Sequence, residues 1–267
     1  MNIIKGKRPR PRKILLYGQH GVGKSTWANQ APKPVFVDVE GGLDDLDCER
    51  TPRMHDWGSL YSTCLQLAEG QNDFKTICVD TLDWAEKLIH ADICQQAGVN
   101  AISDGKLSFG KGHDRATVEM GKLLRVFDGA IANGRGVILL AHAKVERVED
   151  PETQSYSRHS IDVHKSISGM VAEWADEVLF ACFRVFTSKE EMGYGKERNI
   201  GIGGKERYIR TTNSASAEAK NRLNLPDELE MNWNAYAQYI GPHYATPSNI
   251  GGLVVNGSSK TLEVAHG

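Results

Sequence analysis

Gly18-Gln19-His20-Gly21-Val22-Gly23-Lys24-Ser25 fill the pattern G-x-x-x-x-G-K-[ST], a set of residue types suited to holding phosphate. Glycines let successive backbone N–H groups turn toward one centre, and a helix that starts where the loop ends adds the positive pole of its dipole. Lys24 is a cation long enough to reach β- and γ-phosphates, and the Ser25 hydroxyl is placed to hold Mg²⁺. The run from Gly18 to Thr26 is therefore the candidate nucleotide cradle.

Holding phosphate is one step; hydrolysis also needs a metal and a positioned water. Three polar residues at the ends of apolar runs are candidates. Asp80 closes Thr76-Ile77-Cys78-Val79 and can hold the Mg²⁺ shell, unless it only begins a turn beside the helix cap Thr81. Glu40 follows Val35-Phe36-Val37-Asp38-Val39 and precedes Gly41-Gly42, where an acid can polarise the attacking water as a general base. Asp38 competes for that role, since alternation puts it on the same strand face. His142 closes Val137-Ile138-Leu139-Leu140-Ala141, at a level where it can sense the γ-phosphate or simply be satisfied by backbone.

These residues need a scaffold to bring them together. Ile14-Leu15-Leu16-Tyr17 reads as the strand before the cradle, with a helix from Lys24 to about Gln30 ended by Pro32 and Pro34. Val35–Val39, Thr76–Asp80 and Val137–Ala141 read as core strands. Helices are expected over about 60–67 and 84–97, and a third along the stripe Met120, Leu124, Phe127 and Ile131. Later strands are expected at Val178–Cys182 and Tyr208–Thr211. Alternating strands and helices predict a mostly parallel central sheet with helices on both faces, an α/β fold. Gly98–Asp114 and Lys144–Ser168 read as long polar loops, of the sort that is usually functional or disordered. Residues 1–13 read as a basic arm, 14–240 as the core, and 241–267 as a Gly/Ser-rich flexible tail.

At 267 residues the chain is long enough for one large domain. Its net charge of −2 excludes a general polycation, so any nucleic-acid surface has to be local. The five scattered cysteines have no zinc-finger spacing and read as reduced thiols. With neither a signal peptide nor a long apolar segment, the sequence predicts a cytoplasmic protein with no membrane partner.

The order of GQHGVGKST, VFVDVEGGLDD, TICVDTLD and GVILLAH resembles the RecA-like ATPase core. More narrowly, it resembles the phage-encoded RecA-like proteins of single-strand annealing recombination, helped by the late segment RYIRTTNSASAEAKNRLNLP. The resemblance covers roughly residues 12–240. It implies a RecA-like P-loop NTPase fold, ATP and Mg²⁺ as cofactors, Lys24 and Ser25 on phosphate and metal, Asp80 as the second acid and Glu40 as the water-activating glutamate. His142 falls where such proteins often carry a glutamine linking nucleotide state to a DNA-binding loop.

The same resemblance implies single-stranded DNA as partner, assembly into a ring or filament, annealing or strand exchange as the work, and a single-strand binding protein as a further partner. For a phage-encoded chain the compartment is the host cytoplasm. Segments 98–114 and 144–168 would face DNA. Lys106, Lys111, Arg115, Lys144, Arg147, Arg158 and Lys165 supply cations there, while Phe109, Tyr156, His113 and His159 supply stacking surfaces. Cations from a neighbouring subunit often complete such sites. Lys205, Arg207, Arg210, Lys220 and Arg222 are candidates, with Arg210 first because it sits on a predicted strand. Two other classes fit the cradle: a nucleotide-dependent switch or loader acting through proteins, and a P-loop small-molecule kinase.

Overall fold

The computed structural model describes residues 3, 5–6, 9–149, 154–191 and 197–241, with side chains outside 185–203. In chain order the elements are β1 (Lys13–Gly18), α1 (Lys24–Ala28), β2 (Pro34–Asp38), α2 (Trp57–Glu69), β3 (Thr76–Asp80) and α3 (Leu82–Ala97). A single 3-10 turn (Gly105–Leu107) precedes α4 (Lys111–Ala132), β4 (Gly136–Val148), β5 (Tyr156–Ile161) and α5 (Lys165–Trp174). The chain continues with β6 (Glu177–Glu191), β7 (Glu197–Arg210), β8 (Glu228–Glu230) and α6 (Trp233–Ala237).

The strands form a sheet in the order β2-β3-β4-β1-β6-β7-β8, with β5 paired to β4 beside this path. The first five are mutually parallel; β6, β7 and β8 pair antiparallel. Apolar residues fill both faces of the parallel strands, and the two-residue period sorts them into two cores. Leu15, Tyr17, Val37, Val79 and Leu139 face α2, α3, α4 and α5. Ile14, Leu16, Phe36, Ile138 and Leu140 face the opposite side, where Trp27 of α1 packs with Trp233 and Tyr236 of α6. Each fully buried Leu, Ile or Phe contributes about 1.5–3 kcal/mol, so these inner strands form a stiff support for the loops at their carboxyl ends.

Several sequence expectations change. β4 does not stop at His142 but runs on to Val148, leaving the parallel sheet to pair antiparallel with β5. The stretch 144–168 is therefore largely an arm of two strands and the start of α5. The outer part of β4, Val145–Arg147, is exposed and carries no apolar pattern, while β5 ends in buried Ser160 and Ile161. Likewise α4 begins at Lys111, which takes the end of 98–114 into a helix. β6 and β7 continue well past their apolar cores as a long antiparallel pair.

The basic segment before β1 is partly pinned. Arg10 pairs with Asp176 at 2.6 Å, and Arg12 forms a two-pronged bond with buried Glu177. Lys7 and Arg8, the acidic stretch 150–153 and the tail beyond 241 lie outside the described residues. Among the described residues, no helix is long and apolar enough to cross a membrane.

Candidate nucleotide-hydrolysis site

β1 ends at Gly18, between β4 and β6. A Cβ there would meet the Ala181 carbonyl oxygen at 2.2 Å, so only glycine lets the chain turn out of the sheet at this point. Five residues later Gly23 takes φ 99°, a left-handed conformation that starts α1 and that a side chain would strain. Gln19, His20 and Gly21 bridge these points, and Val22 is buried in the second core, anchoring the loop from below.

A cleft of about 370 Å³ opens above the loop, lined by His20, Gly21, Gly23, Lys24, Ser25 and Thr26 from it. Glu40, Asp80, His142 and Arg207 close the cleft from other elements. Their convergence follows from strand order. β4 lies between β1 and β3, with Gly18 in register with His142 and Leu140 with Asp80. His142 thus stands between the phosphate loop and the acid of β3.

Lys24 is buried, and its ammonium donates to the carbonyls of Gly18 at 3.3 Å and Gln19 at 3.1 Å. Burial pushes its pKa down, against the pull of Asp80, Glu40 and Asp83. The Ser25 hydroxyl donates to Asp80 Oδ2 at 2.6 Å. Burial pushes the Asp80 carboxyl up to about 6, with the Ser25 bond opposing the rise. A buried carboxylate and a hydroxyl in mutual contact are the hard oxygen donors that suit Mg²⁺. These residues fit the ion: Ser25 and Asp80 would hold it, and it would neutralise phosphate charge.

Glu40 lies two residues beyond β2. The N–H groups of Val39 and Glu40 both donate to the Asp80 carbonyl, at 2.8 and 3.0 Å, drawing the end of β2 over β3. Asp38 is buried and accepts the Gly41 N–H at 2.7 Å, so it shapes the turn while Glu40 faces the cleft. Glu40 Oε2 is 3.8 Å from His142 Nε2. The other ring nitrogen, Nδ1, lies 3.0 Å from Asp83 Oδ2, and the His142 backbone N–H donates to Asp83 Oδ1 at 3.0 Å. Burial acts to raise the Asp83 carboxyl, but the two bonds from His142 outweigh it and hold it below the ordinary carboxylate range. His20 stacks on the same ring, with centroids 3.7 Å apart.

Sequence reading missed Asp83. Its only signal is an acid three residues after Asp80 in the first turn of α3. Arg210, the cation expected first to act on a neighbouring subunit, lies outside this chain's own cleft and is hydrogen-bonded to Ser214, Ser216 and Tyr208. Arg207 is the one that reaches this chain's own cleft. Its guanidinium lies 2.9 Å from where a Cβ on Gly23 would sit, over the Phe183 ring.

Asp80 carries a stability consequence. Its folded pKa is about 6 against 3.8 for the free group, so the folded state holds this proton more tightly than the unfolded chain does. Stability from this group is therefore lost as pH rises between those values, amounting to about 3 kcal/mol above the window. Asp80→Asn should stabilise the protein at neutral pH by up to that amount when nucleotide and Mg²⁺ are left out. Denaturant titrations should show the gap closing as pH falls below 3.8. A gap that does not change with pH would assign the cost elsewhere.

A strand, a glycine loop and a helix, faced by a buried acid on a parallel strand, define a P-loop nucleotide-binding protein. Residues 10–223 match the family model of the AAA domain, and the chain belongs to this family of P-loop ATPases. It is also similar to the SPbeta prophage-derived uncharacterized protein YorG of Bacillus subtilis (strain 168), 26% identical over 174 residues. That match covers 62% of this chain and 49% of the relative, so the chain spans about half the length of YorG.

Proposed function

We propose that this chain is a Mg²⁺-dependent ATPase that binds single-stranded DNA and promotes annealing or strand exchange in phage-type recombination, assembling as a ring or filament. The observation that carries the hydrolytic part is the meeting of Lys24, Ser25, Asp80, Glu40 and His142 in one cleft. Lys24 would leave the loop carbonyls for the phosphates, and Glu40 would orient and deprotonate the attacking water. Arg207 sits where it would neutralise charge developing on the phosphates, within the same chain.

For the DNA part, support comes from Phe109, which is 99% exposed. Lys106, Lys111 and Arg115 are exposed around it in sequence. An aromatic ring among cations is the combination that stacks bases and tracks a phosphate backbone. The arm formed by β4 and β5 leaves the sheet at His142, which gives a physical route from the cleft to Lys144, Arg147 and Arg158. The similarity to a prophage-derived protein supports the phage setting.

ATP turnover measured with and without single-stranded DNA, across a salt series, tests this reading. DNA should stimulate turnover, and the stimulation should fall steeply with salt. Turnover indifferent to DNA would overturn the recombination role in favour of a switch or loader acting through proteins. A phosphorylated small-molecule product would identify a kinase.

A further inference from the structure

We infer that His20, Glu40 and His142 form a binding site for a divalent transition metal of the Zn²⁺ type, separate from the oxygen pair Ser25–Asp80. One ligand atom from each of the three residues lies within 4.8 Å of the others. Two imidazole nitrogens and one carboxylate oxygen make a donor set used in three-ligand zinc sites, which leave a fourth position to water. Bonds of about 2.0–2.1 Å in a tetrahedron place ligand atoms about 3.4 Å apart. Glu40 Oε2 and His142 Nε2, at 3.8 Å, are already near that spacing. His20 is exposed on its loop but stacked on the His142 ring with centroids 3.7 Å apart, so binding an ion requires its ring to turn out of that stack.

Asp83 makes His142 a prepared ligand. With Nδ1 bonded to that buried carboxylate, Nε2 keeps its lone pair directed to the Glu40 side. A carboxylate behind a histidine fixes both tautomer and ring orientation and raises the basicity of the ligating nitrogen. Nitrogen-rich donors favour Zn²⁺, Co²⁺ or Ni²⁺ over Mg²⁺, which prefers oxygen. An ion held here would also occupy Glu40 and so withdraw the base from the attacking water. That consequence rests on the hydrolytic reading of Glu40; the site itself does not.

The test is titration of the full nucleotide-free chain with Co²⁺, read by its visible absorption, and with Zn²⁺ by calorimetry. One ion should bind per chain, and millimolar Mg²⁺ should not displace it. His20→Ala and Glu40→Gln should each weaken binding by at least about tenfold, and Asp83→Asn by about 10–100-fold through the histidine it orients. Circular dichroism on the His20→Ala protein checks the fold. Wild-type affinity in His20→Ala and Glu40→Gln would overturn the site. So would loss of binding in His113→Ala, which would move the ion to the separate group of His90, His113 and His164. Undiminished ATP turnover with Zn²⁺ bound at His20 would sink Glu40 as the base while leaving the metal site standing.

Discussion

Lys24→Ala should lower ATP turnover by about 10²–10³-fold, the usual effect of losing one preorganised charge facing the reacting group. The ammonium is buried and donates to two loop carbonyls at 3.1 and 3.3 Å, and the cost of burying it outweighs the attraction of Asp80, Glu40 and Asp83, so the nucleotide-free protein gains little from this charge. It belongs to neither hydrophobic core. Its removal should therefore leave thermal unfolding close to wild type while nucleotide affinity falls. Steady-state hydrolysis together with binding of a fluorescent ATP analogue separates these effects. Full turnover by the variant would remove this cleft as the site of hydrolysis.

Glu40→Gln should give the opposite division of effects. Glutamine keeps the size and the hydrogen-bonding oxygen but cannot take a proton, so nucleotide should still bind while hydrolysis falls by about 10²–10⁴-fold. Single-turnover measurements isolate the chemical step from product release. Asp38 provides the internal comparison. It is buried and committed to the Gly41 N–H, so Asp38→Asn should disturb the turn and the fold more than the chemical step. If Glu40→Gln hydrolyses at the wild-type rate and Asp38→Asn does not, the base is Asp38.

The parts of the fold that were readable in the sequence share one property: their cause is local. The glycine loop is one contiguous stretch in which Gly23 meets a left-handed backbone requirement set inside the loop, whereas the need for glycine at Gly18 comes from Ala181 on the neighbouring β6. The inner strands could be found because both their faces are buried, which forces runs such as Ile14–Tyr17 and Val137–Ala141. Helix α4 showed itself through Met120, Leu124, Phe127 and Ile131. The β4–β5 arm did not, since the exposed outer part of β4, Val145–Arg147, has no apolar period to detect. Nor did the extent of β6 and β7, which is set by their backbone pairing with each other.

The candidate site divides in the same way. Sequence alone determined that this chain has a phosphate cradle, with Lys24 and Ser25 fixed by their spacing from the glycines, and that acids close the neighbouring strands. Only the tertiary structure decided how these groups meet. Strand order puts β4 between β1 and β3, so His142 stands between cradle and acid, backed by Asp83 and faced by Glu40 and His20. It also brings Arg207, and not Arg210, to the loop. The physical reason is that a loop's conformation is set by its own residues. A site shared by several strands depends on which strands are neighbours, and that is settled by packing over the whole sheet.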